Sequence, residues 1–432
     1  MALPDHTRYL IVGAGIHGLS TAAHLAELLT VRGTGTGAEV LVVDKAGIGA
    51  GASGVGCGIV RNTYTDPAIR ALIAQSVSLF ESEPDAFGYH PVGHLQISGE
   101  DRQDELAAIS AGQRALGYPS TLVEGAADSR LYLDSIFADW QAQKVAAVLH
   151  EPRGGYVDIQ QALRTLADRA REAGVEIHDD VEVTGLVVDG GAVSGVETES
   201  GAIRCEQVVV APGPWVRDFW RMLELPPVIA RRDVPHPQAE YPMWTYSAQQ
   251  EAILGADPAL LVDNSDASPP VVHVESDAPL HDDVDGSLIT DEPWSIYFKF
   301  DAALEGLQGG AMPCPAKRRG DEVSLDPYGT ASPDFVVRED FARLWTSGLA
   351  HCLQRFAGMG QVVTQEPRGG LACHTPDGLP VFDVFRQNAY VIADANHGYQ
   401  LIGVGALVAE ELLGKPQELL EPFRFSRYAA PG

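Results

Sequence analysis

Short apolar runs alternate with helical patterns from the beginning of the chain, an order typical of α/β proteins. Residues 9–12 are an apolar run that ends in a Gly-x-Gly-x-x-Gly turn, and a helical pattern over residues 21–29 follows the turn. A second apolar run, residues 40–43, ends in Asp44. Strand, glycine turn, helix and strand in this order predict a βαβ unit with parallel strands.

Each glycine of the first turn has a physical role in a nucleotide-binding unit. Gly13 permits the tight turn, Gly15 lets a pyrophosphate approach the backbone, and Gly18 lets the helix pack closely on the sheet. Free N–H groups and the dipole at the helix N-terminus favour phosphate. Asp44 is placed to accept hydrogen bonds from an adenosine ribose, which favours an unphosphorylated ribose over NADP. The alternative is an ordinary βαβ turn without a ligand.

A second glycine-rich stretch follows the second strand. Residues 47–58 are dense in small side chains, which is typical of backbone lying close against a flat or charged group. A flexible linker is the alternative, but its position directly after a nucleotide-binding strand disfavours it. Residues 59–64, which include Arg61, lead into a predicted helix over residues 67–80.

Later patterns predict further strands and helices. Asp158 has the position of a helix N-cap, Leu163, Leu166 and Ala170 form the buried stripe, and Gly174 ends that helix. Strands are predicted at residues 93–98, 175–177, 181–183, 205–210, 294–300 and 307–310, and further helices at residues 105–116 and 401–413.

Residues 263–292 are acidic and rich in proline and aspartate. A stretch of this length inside a compact domain is usually functional or irregular. We interpret it as a surface excursion, with an active-site lid or a partner contact as the alternative.

Composition narrows the class of protein. A length of 432 residues favours two domains, and no apolar run approaches the roughly 20 residues of a membrane helix. The N-terminal segment lacks the pattern of a signal peptide. A net charge of −29 argues against nucleic acid or an anionic membrane as partner. The five cysteines have no disulfide or metal-ligand spacing, so we expect a cytoplasmic protein without a metal site; they are Cys57, Cys205, Cys314, Cys352 and Cys373.

Motifs spread along the chain carry a resemblance to a known family. They are the first glycine turn, the Gly-Ala-Ser-Gly loop at residues 51–54, Arg61, the Ala-x-Gly-x-Trp motif of Ala211, Gly213 and Trp215, the Thr-Pro-Asp motif at Thr375, and the His-Gly-Tyr turn at His397. The chain resembles the D-amino-acid oxidase, sarcosine oxidase and glycine oxidase family of FAD-dependent amine oxidoreductases over nearly its whole length.

The resemblance implies an α/β fold with two domains. A Rossmann-like FAD-binding domain is expected at residues 1–83, 146–230 and 365–432. A discontinuous substrate domain, built on a mixed β-sheet, is expected at residues 84–145 and 231–364.

The resemblance also assigns residues to FAD. The expected cofactor-binding residues are Gly13, Gly15, Ile16, His17, Gly18, Asp44, Lys45, Gly51, Ala52, Ser53, Gly58, Val183, Ala211, Gly213, Trp215, Asn396, His397, Gly398, Tyr399 and Gln400. The family's flavin-linking cysteine corresponds to Gly370 here, so we expect non-covalent FAD and interpret Cys373 as a buried small side chain.

Six residues are candidates for the reaction itself: Arg61, Lys299, Gln308, His397, Tyr399 and Gln400. Arg61 stands where family members hold a substrate carboxylate, with a structural ion pair as the alternative. Gln308 and Gln400 replace lysines of sarcosine-oxidase-like members, one that promotes reaction with oxygen and one that helps bind the carboxylate. Lys299 either extends along its strand or reaches the pocket. His94 and His374 are either pocket residues or packed in the core.

The resemblance implies oxidation of the C–N bond of an amine, an amino acid or N-alkyl amino acid, by hydride transfer to flavin N5, giving an imine that hydrolyses. The expected partners are the small amine and either oxygen or an electron-acceptor protein. The alternative is an FAD-binding electron-transfer or assembly subunit without small-substrate turnover of its own.

Overall fold

The computed structural model describes residues 3–232, 239–312, 318–329, 332, 336–364 and 369–429. Its strands are β1 (His6–Val12), β2 (Val40–Val43), β3 (Ile59–Val60), β4 (Tyr89–His90), β5 (His94–Ser98), β6 (Thr121–Glu124), β7 (Ala147–Glu151), β8 (Gly155–Val157), β9 (Glu176–His178), β10 (Val183–Asp189), β11 (Ala192–Thr198), β12 (Gly201–Val210), β13 (Val228–Arg231), β14 (Glu240–Pro242), β15 (Thr245–Gln250), β16 (Ala252–Gly255), β17 (Val271–Ser276), β18 (Leu280–His281), β19 (Leu288–Thr290), β20 (Trp294–Asp301), β21 (Gly306–Met312), β22 (Arg318–Arg319), β23 (Val363–Thr364), β24 (Gly369–His374), β25 (Val381–Phe385), β26 (Ala389–Ala393) and β27 (Tyr428–Ala429). Its α-helices are α1 (Ile16–Arg32), α2 (Pro67–Ser82), α3 (Pro84–Phe87), α4 (Gln103–Ala115), α5 (Ala126–Ile136), α6 (Ile159–Glu172), α7 (Val216–Met222), α8 (Glu339–Cys352) and α9 (Val404–Leu412).

The first large sheet is built around five parallel strands in the order β26-β12-β1-β2-β9. Alternate residues of its strands point to opposite faces, so that Ile11 and Val42 pack in one core and Leu10 and Val43 in the other. Helices α1, α6 and α9 cover the first of these faces. This doubly covered parallel sheet confirms the α/β class.

The second large sheet is mixed, in the order β23-β16-β21-β20-β17-β5-β7-β6. One face is apolar, with Val272, Phe298 and Leu307 packed on Trp345 of α8. Polar residues occupy the opposite face of the central strands: His94, Gln96, His273, Tyr297, Lys299 and Gln308. We call this set the polar face. Since His94, Lys299 and Gln308 are buried, this face is an interior surface rather than a solvated one.

Helix boundaries follow the local chemistry that the sequence predicts. Asp158 caps α6 by accepting a hydrogen bond from the Gln161 N–H at 2.9 Å, and Leu163 and Ala170 are buried. Helix α1 begins at Ile16 rather than at residue 21, because the glycine turn supplies its first turn.

Two predicted segments need correction. Residues 263–292 are not only a surface excursion, since they contain β17, a strand between β20 and β5 in the middle of the second sheet. Only its second half forms an outlying hairpin of β18 and β19. The C-terminal helix begins at Val404 rather than at residue 401, because residues 398–401 form a 3₁₀ turn. Among the residues that the structure describes, no helix is long and apolar enough to cross a membrane.

The crossing of α1 and α9 generates a first prediction. A side chain at Gly405 would overlap the Ser20 hydroxyl and the backbone of Thr21. Gly405→Ala is therefore expected to lower the free energy of unfolding by about 1–3 kcal/mol. Thermal or urea unfolding measures this loss. Gly255→Ala is the matched control, because a Cβ there meets no atom within 4 Å; equal stability of the two variants would contradict the tight crossing.

Candidate functional site

The first glycine turn forms a cradle that admits no side chains. Gly13 has φ +108° and donates its N–H to the Val43 carbonyl at 2.8 Å. A Cβ at Gly13 would overlap the carbonyl oxygen of Ala211, and one at Gly18 would overlap that of Gly13. The first turn of α1 carries no acidic residue, so its N-terminus can receive an anion.

Asp44 ties together the loops around this cradle. Its Oδ2 accepts from the Ala14 N–H at 2.8 Å, and its Oδ1 accepts from the N–H groups of Ala46 and Gly47, each at 2.9 Å. The Asp44 carbonyl also accepts from the Val181 N–H at 2.8 Å. Residues 181–182, which the sequence predicts as strand, lie outside β10. The carboxylate is thereby fixed at the end of β2, where the adenosine ribose is expected.

The Gly-Ala-Ser-Gly loop packs against the start of α1. The Ser53 hydroxyl accepts from the Ile16 N–H at 3.0 Å. The Tyr399 hydroxyl donates to the backbone carbonyls of Ser53 at 2.5 Å and Ile159 at 3.2 Å. Tyr399 is buried, so its side chain supports the loop from the protein interior.

Asp394 joins the C-terminal turn to α1. Its Oδ2 lies 3.0 Å from His17 Nε2 and accepts from the Gly398 N–H at 2.8 Å. Burial would raise the pKa of this carboxyl, but the hydrogen bonds and the nearby His17 and His397 hold it well below its usual value. Asp394 is therefore ionised near neutral pH and holds the turn at residues 396–398 beside the cradle.

A cavity of about 450 Å³ runs along these elements. Of the residues expected to bind FAD, those that line it are Gly13, Gly15, Ile16, His17, Asp44, Lys45, Gly51, Ala52, Ser53, Val183, Ala211, Gly213, Trp215, Asn396 and Gly398. The expected residues outside this lining are Gly18, Gly58, His397, Tyr399 and Gln400. Backbone approach without side chains, a helix N-terminus and a carboxylate at the end of β2 fit a dinucleotide such as FAD.

A segment that follows β22 contributes Asp326 and Tyr328 to the lining of this cavity. Asp326 Oδ1 lies 2.6 Å from Lys45 Nζ, and Asp326 Oδ2 accepts from the Trp215 indole N–H at 3.1 Å. Lys45 stands over the Trp215 ring at 4.0 Å, and Tyr328 packs on that ring at 4.8 Å between centroids. We call residues 326–328 the strap. The strap was not predicted, because these contacts join residues far apart in sequence.

Arg61 is a half-buried cation directly after β3. Its Nη1 donates to the Thr63 carbonyl at 3.1 Å, and its guanidinium lies 4.7 Å from the Tyr64 ring. Tyr64 in turn lies 5.4 Å from the His397 ring. No carboxylate of the described part of the chain lies within ion-pair distance of Arg61. Arg61 therefore forms no structural ion pair with a described carboxylate, and its role in carboxylate binding stays a prediction.

Burial and the charge of Arg61 lower the pKa of His397, although the Asp394 carbonyl opposes this. His397 is therefore neutral near pH 7 and does not repel a cation beside it.

Lys299 and Gln308 face each other across β20 and β21 on the polar face. Lys299 Nζ lies 2.8 Å from Asp301 Oδ2 and 4.4 Å from the Tyr156 ring centre. Gln308 donates to Glu251 Oε2 at 2.8 Å. Lys299 thus reaches the interior rather than extending to solvent, with its charge balanced by Asp301.

Glu251 is a buried carboxyl that the sequence did not single out. Besides the bond from Gln308, it accepts from the Tyr297 hydroxyl at 3.1 Å. Burial raises the pKa of Glu251 despite these hydrogen bonds. The alternation of polar and apolar residues in β20 was a sequence signal for a polar face in this region. His273 was not singled out, because the acidic residues around β17 hid the strand pattern.

The remaining candidate residues differ in their contacts within the protein. Gln400 is half-buried, and its Oε1 lacks a partner among the described residues. Cys373 lines the cavity, and burial raises the pKa of its thiol, which disfavours a nucleophilic thiolate. His374 Nε2 lies 2.9 Å from the Ser247 hydroxyl. Asp377 of the Thr-Pro-Asp motif accepts from Arg427 at 2.7 Å. Cys314 lies outside the described residues.

A parallel sheet with a glycine-lined cavity at the carboxyl ends of its strands is the arrangement of a dinucleotide-binding protein. The family model described as "DAO: FAD dependent oxidoreductase" matches residues 8–411. The chain belongs to this family, which confirms FAD as the cofactor and oxidoreductase as the class of enzyme.

Individual relatives are similar over about half of the chain. Sarcosine oxidase subunit beta of Rhizobium meliloti is 30% identical over 213 residues, 48% of this chain and 49% of that protein. Glycine oxidase of Pseudomonas putida is 28% identical over 227 residues, 50% of this chain and 58% of that protein. Each match therefore spans between about half and three fifths of the relative.

Solved structures agree over the whole fold. L-proline dehydrogenase from P. horikoshii superposes with a TM-score of 0.73 at 21% identity, covering 98% of this chain and 99% of that chain. At this identity the likeness shows the fold alone.

The strap generates a second prediction. Asp326→Ala removes both the Lys45 ion pair and the indole hydrogen bond, so FAD is expected to dissociate several-fold faster. The measurement is the rise in free-flavin fluorescence after dilution of the FAD-loaded protein. Asp321→Ala is the control, because Asp321 forms an exposed ion pair with Arg319. Equal dissociation rates in wild type and Asp326→Ala would show that the strap does not retain FAD.

Proposed function

We propose that this protein oxidises the C–N bond of an amine that carries a carboxylate, an amino acid or N-alkyl amino acid. The observation that carries this proposal is Arg61, a half-buried guanidinium that forms no ion pair with any carboxylate of the described residues. A planar guanidinium binds a carboxylate with two parallel hydrogen bonds. The substrate would therefore be held by its acid group.

The chain's own contribution is orientation and electrostatics. Arg61 fixes one end of the substrate, with its guanidinium held over Tyr64 and by Thr63. Bound FAD, held without a covalent link, supplies the acceptor for the hydride removed from the carbon next to nitrogen. The resulting imine hydrolyses in water. No strong base is required if the amine enters unprotonated.

The test is an anaerobic screen of amines, amino acids and N-methyl amino acids, read as loss of flavin absorbance. Rapid bleaching by a carboxylate-bearing amine supports the proposal. Absence of bleaching by every such amine would contradict it and favour an electron-transfer or assembly subunit.

A third prediction concerns Arg61. Arg61→Ala is expected to weaken binding of the carboxylate-bearing substrate by about 2–5 kcal/mol while FAD stays bound. Steady-state kinetics and flavin content measure the two effects. Arg130→Ala is the control, since Arg130 forms an exposed ion pair with Asp134. Unchanged kinetics in Arg61→Ala would assign the arginine a structural role.

A fourth prediction concerns oxygen. A fixed cation near the flavin favours the negative charge that develops on oxygen during electron transfer. Gln308 is neutral, and Asp301 balances the charge of Lys299 at 2.8 Å. We therefore expect reduced enzyme to react with oxygen more slowly than sarcosine-type oxidases do, which favours another electron acceptor.

Stopped-flow mixing of reduced enzyme with oxygen measures this rate. Asp301→Asn leaves the charge of Lys299 unbalanced and is expected to accelerate the reaction several-fold. Combining it with Lys299→Met should remove the gain. Fast wild-type reoxidation that survives Lys299→Met would refute the role given to these residues.

A further inference from the structure

Two buried histidines meet on the polar face, on the adjacent strands β5 and β17. His94 Nε2 lies 3.1 Å from His273 Nδ1. His94 is fully buried, and its Nδ1 has no hydrogen-bond partner among the described residues. His273 is half-buried and stacks on Tyr297, with ring centroids 5.0 Å apart. The reaction described above uses neither imidazole.

The hydrogen bond between the two rings fixes which nitrogens carry protons. A buried N–H without a partner is rarer in proteins than a buried acceptor without one. The partnerless Nδ1 of His94 is therefore assigned as the bare acceptor nitrogen, so His94 Nε2 carries the proton and donates to His273 Nδ1. In this assignment His273 Nε2 carries a hydrogen. That nitrogen has no partner in the described part of the chain.

The electrostatic surroundings keep both imidazoles neutral. Burial, followed by the positive charge of Arg61, lowers the pKa of His273 well below its ordinary value. Burial, His273 and Arg61 do the same for His94. Glu151, the cross-strand partner of His94, accepts from the Asn62 N–H at 2.6 Å, so the chain directly after Arg61 lies beside the histidine pair. A neutral N–H donor beside a guanidinium adds a hydrogen bond for an anion without a second buried charge.

We propose that His273 binds the substrate carboxylate together with Arg61 through its Nε2–H, and that His94 is the positioning residue that holds His273 in this tautomer. The inference rests on the proposed function and specifies the acid-binding part of its site. It also explains how the site binds a carboxylate although Gln400 is neutral where sarcosine-oxidase-like proteins have a lysine. The second hydrogen-bond donor to the carboxylate then comes from His273 on the second sheet.

The experiment measures binding of acetate and of its neutral isostere acetamide to the FAD-loaded protein, by the change in flavin absorbance. The variants are His273→Phe, His273→Gln, His94→Phe and His94→Gln. Glutamine keeps a donor close to the position of Nε2, whereas phenylalanine keeps only the ring. His150→Phe is the matched control, because His150 lies on the neighbouring β7, on the opposite face, and pairs with Tyr132 at 2.7 Å.

The expected result is a loss of acetate affinity of about tenfold or more in His273→Phe, the usual effect of one hydrogen bond to a charged group. A smaller loss is expected in His94→Phe, recovery in both glutamine variants, and no change in His150→Phe or in acetamide binding. If His273→Phe fails to retain FAD, His273→Asn replaces it, since its amide reaches only the Nδ1 position and leaves the site without the donor.

Wild-type protein that binds acetate no better than acetamide would overturn the inference, and so would unchanged acetate affinity in His273→Phe or His273→Asn. The proposed function fails differently. If acetate binding depends on His273 but no amine bleaches the flavin, the anion site stands and the amine oxidation does not. If an amine bleaches the flavin and the His273 variants bind acetate normally, only the inference fails.

Discussion

The structure depends on close contact between backbone segments at the first glycine turn. Gly13 packs against the carbonyl of Ala211, and Gly18 packs against the carbonyl of Gly13, so that β1, β12 and α1 converge without intervening side chains. Because the strands converge here, the N-terminus of α1 lies at the carboxyl ends of these strands. Asp44 and Asp394 then attach neighbouring loops to this point through backbone N–H groups and His17. Main chain thus shapes the cavity beside the glycine turn, and large side chains such as Trp215 and Phe219 also line it.

The second sheet differs from the first, because one of its faces buries polar groups. Lys299 and Asp301 form a pair, whereas Glu251 is held by neutral donors from Tyr297 and Gln308. Buried charges and buried polar groups both need hydrogen-bond or ion-pair partners. Arg61 forms no ion pair with a carboxylate of the described residues, and its guanidinium donates to the Thr63 carbonyl. The proposed carboxylate-binding role of Arg61 rests on this missing ion pair.

The sequence predicted those parts of the fold that depend on residues close together in the chain. The glycine turn, the cap at Asp158 and the hairpin of β20 and β21 all rest on neighbouring residues, and the structure has them. The strap, the His17–Asp394 contact and the histidine pair join residues far apart in the chain, so no local pattern could show them. Strand β17 was missed because acidic flanking residues outweighed its short alternation. The domain boundaries and the roles of the site residues stay predictions.

The alternation of β20 has an evolutionary consequence. Tyr297 and Lys299 lie on the polar face, whereas Ile296, Phe298 and Phe300 face the core. Because the two sets never share a face, substitutions at the odd-numbered positions can change the polar face while the packing against α8 is conserved. A deletion of one residue would exchange the sets, moving aromatic rings to the polar face and a lysine into the core. Substrate range in such a sheet can therefore diversify by point substitution, whereas insertions and deletions are confined to the connecting loops.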